Sequence, residues 1–125
     1  MWLILQQEKP QDFVIATGRQ HSVREFVNQT AEQLGLNIQW EGEGEDERAI
    51  DETGRHIVKV DKSYLRPAEV ESLMGSAEKA RKALGWRPTT SFEQLIAEMV
   101  EKDLSEANRD ALFAKHGFPV SSYHE

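Results

Sequence analysis

The sequence contains no cysteine. This absence excludes disulfide bonds, thiolate metal sites and a thiol nucleophile, and with them zinc fingers and thiol redox motifs. A chain of 125 residues without cross-links is typical of a single cytoplasmic domain. Hydrophobic residues make up 38% of the chain, which suffices for a modest core and argues against a long disordered tail.

Long apolar runs and an excess of positive charge are also missing. The longest apolar run covers residues 1–5, far short of the roughly 20 residues that span a bilayer. We expect no membrane helix, and no signal peptide because a basic segment is absent and Gln6-Gln7-Glu8 interrupts the apolar stretch. Lys and Arg number 15 against 22 Asp and Glu, giving a net charge of −7, which argues against nucleic-acid or anionic-membrane binding. Any anion site must therefore be local.

The first half of the chain predicts two helices and three strands. Residues 1–8 form an apolar helical pattern without a capping residue, so we expect the chain to begin inside a helix. Residues 13–16 lack alternation, which favours a strand buried on both faces of a sheet. A capping box from Ser22 to Glu25 opens a helix that Gly35 ends. Further predictions are a half-buried strand at 36–40, an acidic solvated loop at 41–48 and a strand at 56–60.

The second half is predicted to be helical. Pro67 suits the first turn of a short helix reaching about Met74, and a second helix covers residues 76–84 before Gly85 and Trp86. Another capping box, Ser91 to Gln94, opens the longest apolar stripe of the chain. The fold class is therefore α/β, with about three short strands and four or five helices. Because this core is thin, we expect either a piece of a larger protein or an obligate partner of another chain.

Most familiar catalytic and metal-binding patterns are absent. The four histidines are scattered without metal-ligand spacing, so surface roles are favoured over a metal site. The acidic loop lacks the alternating oxygen ligands of a calcium loop, and solvation is favoured over cation binding. The sequence contains neither a Gly-x-Ser-x-Gly elbow nor a Gly-rich phosphate loop.

Arg66 and Glu69 are the candidate binding residues. Their three-residue spacing, on a turn that Pro67 starts, places them on one face of the predicted helix start. One interpretation is that the guanidinium binds phosphate oxygens while the carboxylate accepts from ribose hydroxyls. The alternative is an intrahelical ion pair, which usually contributes about 0.3–0.5 kcal/mol. Arg19 and Arg24 are further possible anion contacts, for which solvated surface roles are favoured.

Several stretches resemble the C-terminal third of GDP-mannose 4,6-dehydratases, which are extended short-chain dehydrogenases/reductases. The two strings nearest to diagnostic are Ala16-Thr17-Gly18-Arg19-Gln20 and Arg66-Pro67-Ala68-Glu69-Val70-Glu71. Leu84-Gly85-Trp86 is shared more widely among nucleotide-sugar enzymes. The resemblance covers nearly the whole chain, except for the segment 42–56.

The resemblance implies a C-terminal fragment of a Rossmann-type dehydratase that lacks the dinucleotide-binding core. Residues 1–35 would form a helix-strand-helix unit joined to the Rossmann domain, and residues 36–125 a small substrate domain. Arg66 would bind the diphosphate of GDP-mannose and Glu69 its ribose hydroxyls. Such enzymes use NADP to oxidise the sugar at C4, remove the C5 proton, expel water from C6 and return the hydride, giving GDP-4-keto-6-deoxy-mannose.

The family's catalytic residues are missing from these 125 residues. No dinucleotide fingerprint is present, and Tyr64 is followed four positions later by Ala68, so it supplies no Tyr-x-x-x-Lys pair. We therefore expect this chain alone to bind no NADP and to be inactive. The alternative function is a non-enzymatic module that self-associates or binds another chain, such as an N-terminal Rossmann domain.

Overall fold

The computed structural model describes residues 1–64 and 73–119. Within these residues a three-stranded sheet follows two helices along the chain and precedes two more, which confirms the predicted α/β class. The helices and strands, in chain order, are α1 (Trp2–Leu5), α2 (Val23–Gln33), β1 (Ile38–Glu41), β2 (Arg48–Asp51), β3 (His56–Lys59), α3 (Glu78–Leu84) and α4 (Phe92–Lys115). Single 3-10 turns occupy Gly44–Asp46 and Lys62–Tyr64.

The two long helices begin at the predicted capping boxes. At α2, the Glu25 backbone N–H donates to the Ser22 hydroxyl at 3.1 Å, and the Ser22 N–H donates to the Glu25 carboxylate at 2.8 Å. At α4, the Gln94 N–H donates to Ser91 Oγ at 3.2 Å, and the Ser91 N–H donates to Gln94 Oε1 at 2.9 Å. Each box thereby provides acceptors for two backbone N–H groups that a helix start without a cap leaves unpaired.

Glycines end the helices where the sequence places them. Gly35 and Gly85 adopt left-handed backbone angles, with φ of +68° and +64°, a conformation that costs side-chain-bearing residues energy. α3 starts two residues later than predicted, and α4 continues to Lys115, beyond the predicted stripe.

The sheet is an antiparallel meander in the order β1-β2-β3. Trp40 pairs with Ala49, and Ala49 in turn pairs with Val58. Ala49 is completely buried at the centre of the sheet. The register shifts between Ala49 and Ile50, so the β2–β3 ladder is irregular at that point.

The strand predicted at residues 13–16 is wrong. These residues form no strand, and the side chains of Val14 and Ile15 are 54% and 50% exposed. A strand needs a neighbour to satisfy its backbone groups, and none of the described strands lies beside this segment to pair with it. The sheet instead contains β2 as its middle strand, which was not predicted. The first residue of β2, Arg48, falls in the segment predicted to be an acidic loop.

Two predicted helices also differ from the structure. α1 ends at Leu5 rather than continuing to residue 8. The helix predicted after Pro67 falls in residues 65–72, outside the described residues, and Leu73 and Met74 are not helical.

The core is small, as the thin set of elements indicates. The buried hydrophobic residues among those described are Ala31, Ala49, Ala80 and Ile96. Around Ile96, α2 packs against the first half of α4, where the rings of Phe26 and Phe92 lie 6.3 Å apart. Phe92 also stacks on His21 with ring centroids 3.9 Å apart. This contact fixes the segment before α2 against the start of α4.

Candidate anion-binding site

Arg66 and Glu69, the residues predicted to bind ligand, both lie outside the described residues. The chain enters that segment after Tyr64, which is 82% exposed. It returns at Leu73, and the next residue, Met74, lines a cleft in the surface. This cleft has a volume of about 680 Å³.

Three segments and one helix residue form the walls of this cleft. They are residues 16–18, residues 74–77, residues 86–88 and Arg81 of α3. The left-handed turn at Gly85 ends α3 and directs the chain through the third segment. Because residues 16–18 lie more than fifty residues before the other walls, the cleft depends on packing between distant parts of the chain rather than on a local motif alone.

α3 is held to the segment before the first wall by a lysine. Lys79 Nζ donates to the Asp12 carbonyl oxygen at 2.8 Å and lies 4.9 Å from the centroid of the Phe13 ring. Both contacts favour the ammonium in this position, since it receives a carbonyl acceptor and the negative face of an aromatic ring.

The electrostatics of the cleft differ from those of the chain as a whole. Arg81 and Arg87 line it, and none of the other described lining residues is acidic. Within residues 1–64 and 73–119 neither arginine forms a salt bridge, whereas Arg48, Arg55 and Arg109 each pair with a carboxylate at 3.1–3.3 Å. The cleft is therefore a locally positive surface on a chain of net charge −7. The charge balance of the sequence led us to expect that any anion site would be local in this way.

The two other arginines named from the sequence lie elsewhere. Arg24 is paired with Glu47 and lies 5.0 Å above the Trp40 ring, so it links α2 to the sheet region. Arg19 follows the first cleft wall, and its charge acts on Glu93. The pKa of Glu93 is lowered mainly by hydrogen bonds from the Glu93 backbone N–H and from the Ser91 hydroxyl, with smaller contributions from His21 and then Arg19.

The arginines of the cleft were missed by sequence reasoning. Arg81 lies in the last turn of α3 and Arg87 two residues beyond its glycine cap, positions where basic residues ordinarily stabilise a helix end. Nothing in the local sequence distinguishes them from such residues. Their placement beside Thr17 and Gly18 becomes evident only in three dimensions.

The remaining candidates form no site in the described part of the chain. No group of three His, Asp or Glu side chains there is arranged to hold a metal ion. In the acidic loop, Glu45 and Asp46 both lie within salt-bridge distance of Lys62, at 3.5 and 3.7 Å. Among the same residues, no helix has the length and apolar character that crossing a membrane requires.

Comparison with known proteins identifies the family. The family model described as GDP-mannose 4,6 dehydratase matches residues 1–99. A GDP-mannose 4,6-dehydratase of Vibrio cholerae serotype O1 is 45% identical over 131 aligned residues, covering 96% of this chain and 35% of the relative. The Dictyostelium discoideum GDP-mannose 4,6 dehydratase is 52% identical over 83% of this chain and 30% of its own length, and the human protein of that name is 49% identical over 83% and 28%.

An α/β chain with a locally positive cleft is thus related throughout most of its length to nucleotide-sugar dehydratases. The chain belongs to the GDP-mannose 4,6-dehydratase family. It spans about a third of the length of the curated relatives that it matches.

Proposed function

We propose that this chain is the sugar-nucleotide-binding part of a GDP-mannose 4,6-dehydratase. The observation that carries the proposal is the family match over residues 1–99, which includes Arg66 and Glu69. In this proposal the Arg66 guanidinium binds the diphosphate of GDP-mannose, because its fork of N–H donors matches phosphate oxygens. The Glu69 carboxylate accepts hydrogen bonds from the ribose hydroxyls. Further support comes from Met74, which lies shortly after this segment and lines the positive cleft.

Isothermal titration of the chain with GDP-mannose and with GDP tests the two residues. We expect Arg66→Ala to weaken both ligands by about tenfold or more, since a charge-assisted hydrogen bond contributes about 1.5–3 kcal/mol. Glu69→Ala should weaken binding less, because it accepts from neutral hydroxyls. Arg109→Ala removes a positive charge from exposed α4 and serves as the control. Equal affinities of the Arg66→Ala variant and the parent chain would contradict the assignment.

We further propose that the chain alone does not convert GDP-mannose to GDP-4-keto-6-deoxy-mannose. NADP chemistry needs a dinucleotide site, typically a Gly-rich turn between a parallel strand and a helix. All strand pairs in the described residues are antiparallel, and the sequence has no such glycine fingerprint, so these residues do not fit NADP. Residues 1–35 would adjoin an N-terminal Rossmann domain and residues 36–125 would form the substrate domain, in the cytoplasm. Turnover by the purified chain with NADP and GDP-mannose would contradict this proposal.

A second candidate function is self-association or binding to another chain, such as that Rossmann domain. It is favoured by the exposure of apolar side chains in and after α1, where Trp2 is 68%, Leu5 75% and Ile15 50% exposed. Large apolar side chains left exposed along one segment of chain are available for burial in an interface. Size-exclusion chromatography with light scattering provides the test. A monomer that persists at high protein concentration would argue against self-association, and Trp2→Ser should shift any dimer toward monomer.

A further inference from the structure

The positive cleft has binding chemistry that does not depend on Arg66 or Glu69. We propose that Arg81 and Arg87 bind a diphosphate group in this cleft, as a second set of phosphate ligands on the chain. The proposal goes beyond the assigned pair because it stands on two other residues, both within the described part of the chain.

The charge of the cleft favours an anion over other ligands. Both guanidiniums are exposed to solvent, and neither is paired with a carboxylate from residues 1–64 or 73–119. Each guanidinium can donate two parallel hydrogen bonds to the oxygens of one phosphate. Two such groups along one cleft match the charge and the two phosphorus centres of a diphosphate better than those of a single phosphate.

The size and the lining of the cleft favour a small molecule. A volume of about 680 Å³ lies within the range of small-molecule sites. Ala16, Gly75 and Ala77 present little side-chain bulk to the space, and Trp86 adds an aromatic residue beside Arg87. Aromatic surfaces stack on nucleobases with little dependence on the base, so Trp86 could contact the base of a nucleoside diphosphate. Inorganic pyrophosphate carries the same diphosphate group without a base.

Isothermal titration with inorganic pyrophosphate, GDP and ADP at low ionic strength tests the proposal. We expect pyrophosphate to bind, and Arg81→Gln and Arg87→Gln each to weaken it about five- to tenfold. The lysine variants Arg81→Lys and Arg87→Lys keep the charge but lose the fork, so they should lie between the glutamine variants and the parent. Tighter binding of GDP and ADP than of pyrophosphate would assign a contribution to the base, whereas equal binding would assign the site to the diphosphate alone.

Arg109→Gln is the matched control, because it removes the same charge from an exposed position on α4. An equal loss in this variant, or no binding of pyrophosphate by the parent chain, would overturn the proposal. The Arg66→Ala variant separates it from the proposed function. Loss of GDP binding in Arg66→Ala alone would support the proposed role of Arg66 and contradict binding by Arg81 and Arg87. Loss in the Arg81 and Arg87 variants alone would support the cleft and contradict the role of Arg66.

A measurement on the unmodified sequence removes any dependence on how the variants fold. Phenylglyoxal labels exposed arginines, and peptide mass spectrometry reports the rate at each position. Saturating pyrophosphate should slow the labelling of Arg81 and Arg87 but leave Arg109 unchanged. Equal labelling rates at all three positions with and without pyrophosphate would reject the cleft as the binding site.

Discussion

Gly75 shows how closely two walls of the cleft approach each other. A Cβ atom placed on Gly75 would lie 2.8 Å from the Ala16 Cβ and 3.2 Å from a methyl group of Val14. The first distance is shorter than carbon atoms tolerate without displacement, and the Ala16 Cβ is fixed to the backbone. A glycine at position 75 therefore allows the second wall to rest directly on the first.

We predict that Gly75→Ala destabilises the chain by about 1–3 kcal/mol, as overpacking of a close contact does. Urea unfolding measures the effect. The double variant Ala16→Gly/Gly75→Ala restores space at the closer contact and should recover part of the loss. Strict additivity of the two single substitutions would show that the residues are not coupled.

Asp51 makes the turn between β2 and β3 sensitive to pH. Its carboxylate accepts from the Thr53 hydroxyl at 2.6 Å and from the backbone N–H groups of Thr53 and Arg55 at 2.9 and 3.0 Å. The Thr53 hydroxyl bond is the largest of the causes that hold the pKa of Asp51 below its ordinary value. The stabilisation is therefore present above the unfolded-state pKa, near 3.9, and is lost as the pH falls through the lower folded-state value.

We predict that Asp51→Asn reduces stability at neutral pH and that the difference from the parent chain narrows as the pH falls below about 4. Unfolding curves recorded across this range measure the difference. Asp103→Asn removes a carboxylate from the exposed face of α4 and is the control. A constant difference between Asp51→Asn and the parent at all pH values would contradict the role of the carboxylate.

At the scale of elements, local chemistry was predictable and pairing was not. The capping boxes at Ser22 and Ser91 were identified from the sequence because a box is completed within four residues. The strand expected at residues 13–16 failed because its formation depends on a neighbouring strand that the described part of the chain does not supply. β2 was not predicted because its four residues form a strand only by pairing with β1 on one side and β3 on the other.

The capping box of α4 provides a test at this scale. We predict that Ser91→Ala lowers the free energy of unfolding by about 1 kcal/mol, through loss of the hydrogen bond to the Gln94 N–H. Ser105→Ala, in the exposed interior of the same helix, should be neutral or slightly stabilising because alanine has the higher helix propensity. Similar effects of both substitutions in thermal unfolding would mean that the box contributes nothing.

The candidate binding residues also differ in whether neighbouring sequence alone could identify them. Arg66 and Glu69 were proposed because their spacing and the surrounding string lie within one short stretch of sequence. Arg81 and Arg87 could not be found in that way, since the cleft brings together segments separated by more than fifty residues of chain, such as Gly18 and Ser76.

At the scale of the whole molecule, a small core makes each buried side chain important. Ile96 is 1% exposed and is the one large hydrophobic side chain fully buried among the described residues. A domain of ordinary stability unfolds with about 5–15 kcal/mol, so the loss of this side chain removes a considerable part of that total.

We predict that Ile96→Ala costs about 2–5 kcal/mol, the range for deletion of a buried aliphatic group. Leu104→Ala is the matched control on the same helix, because Leu104 is 47% exposed and its loss should cost well under that amount. Chemical denaturation followed by circular dichroism compares the two. A cost below about 1 kcal/mol for Ile96→Ala would contradict the packing of α2 on α4.

α4 is about 36 Å long, from 24 residues at 1.5 Å each, and the side chains of its residues 101–109 are all exposed. Among the described residues none of these turns has a buried side chain, so we expect them to melt according to their own helix–coil equilibrium. Trp40, in contrast, reports on the folded unit, since its indole N–H donates to the Asn28 side chain at 2.7 Å. In a Trp2→Phe/Trp86→Phe variant, which retains Trp40 as its single tryptophan, heating should therefore reduce ellipticity gradually, well before the indole emission shifts, so the two spectroscopic signals trace different transitions within a single chain.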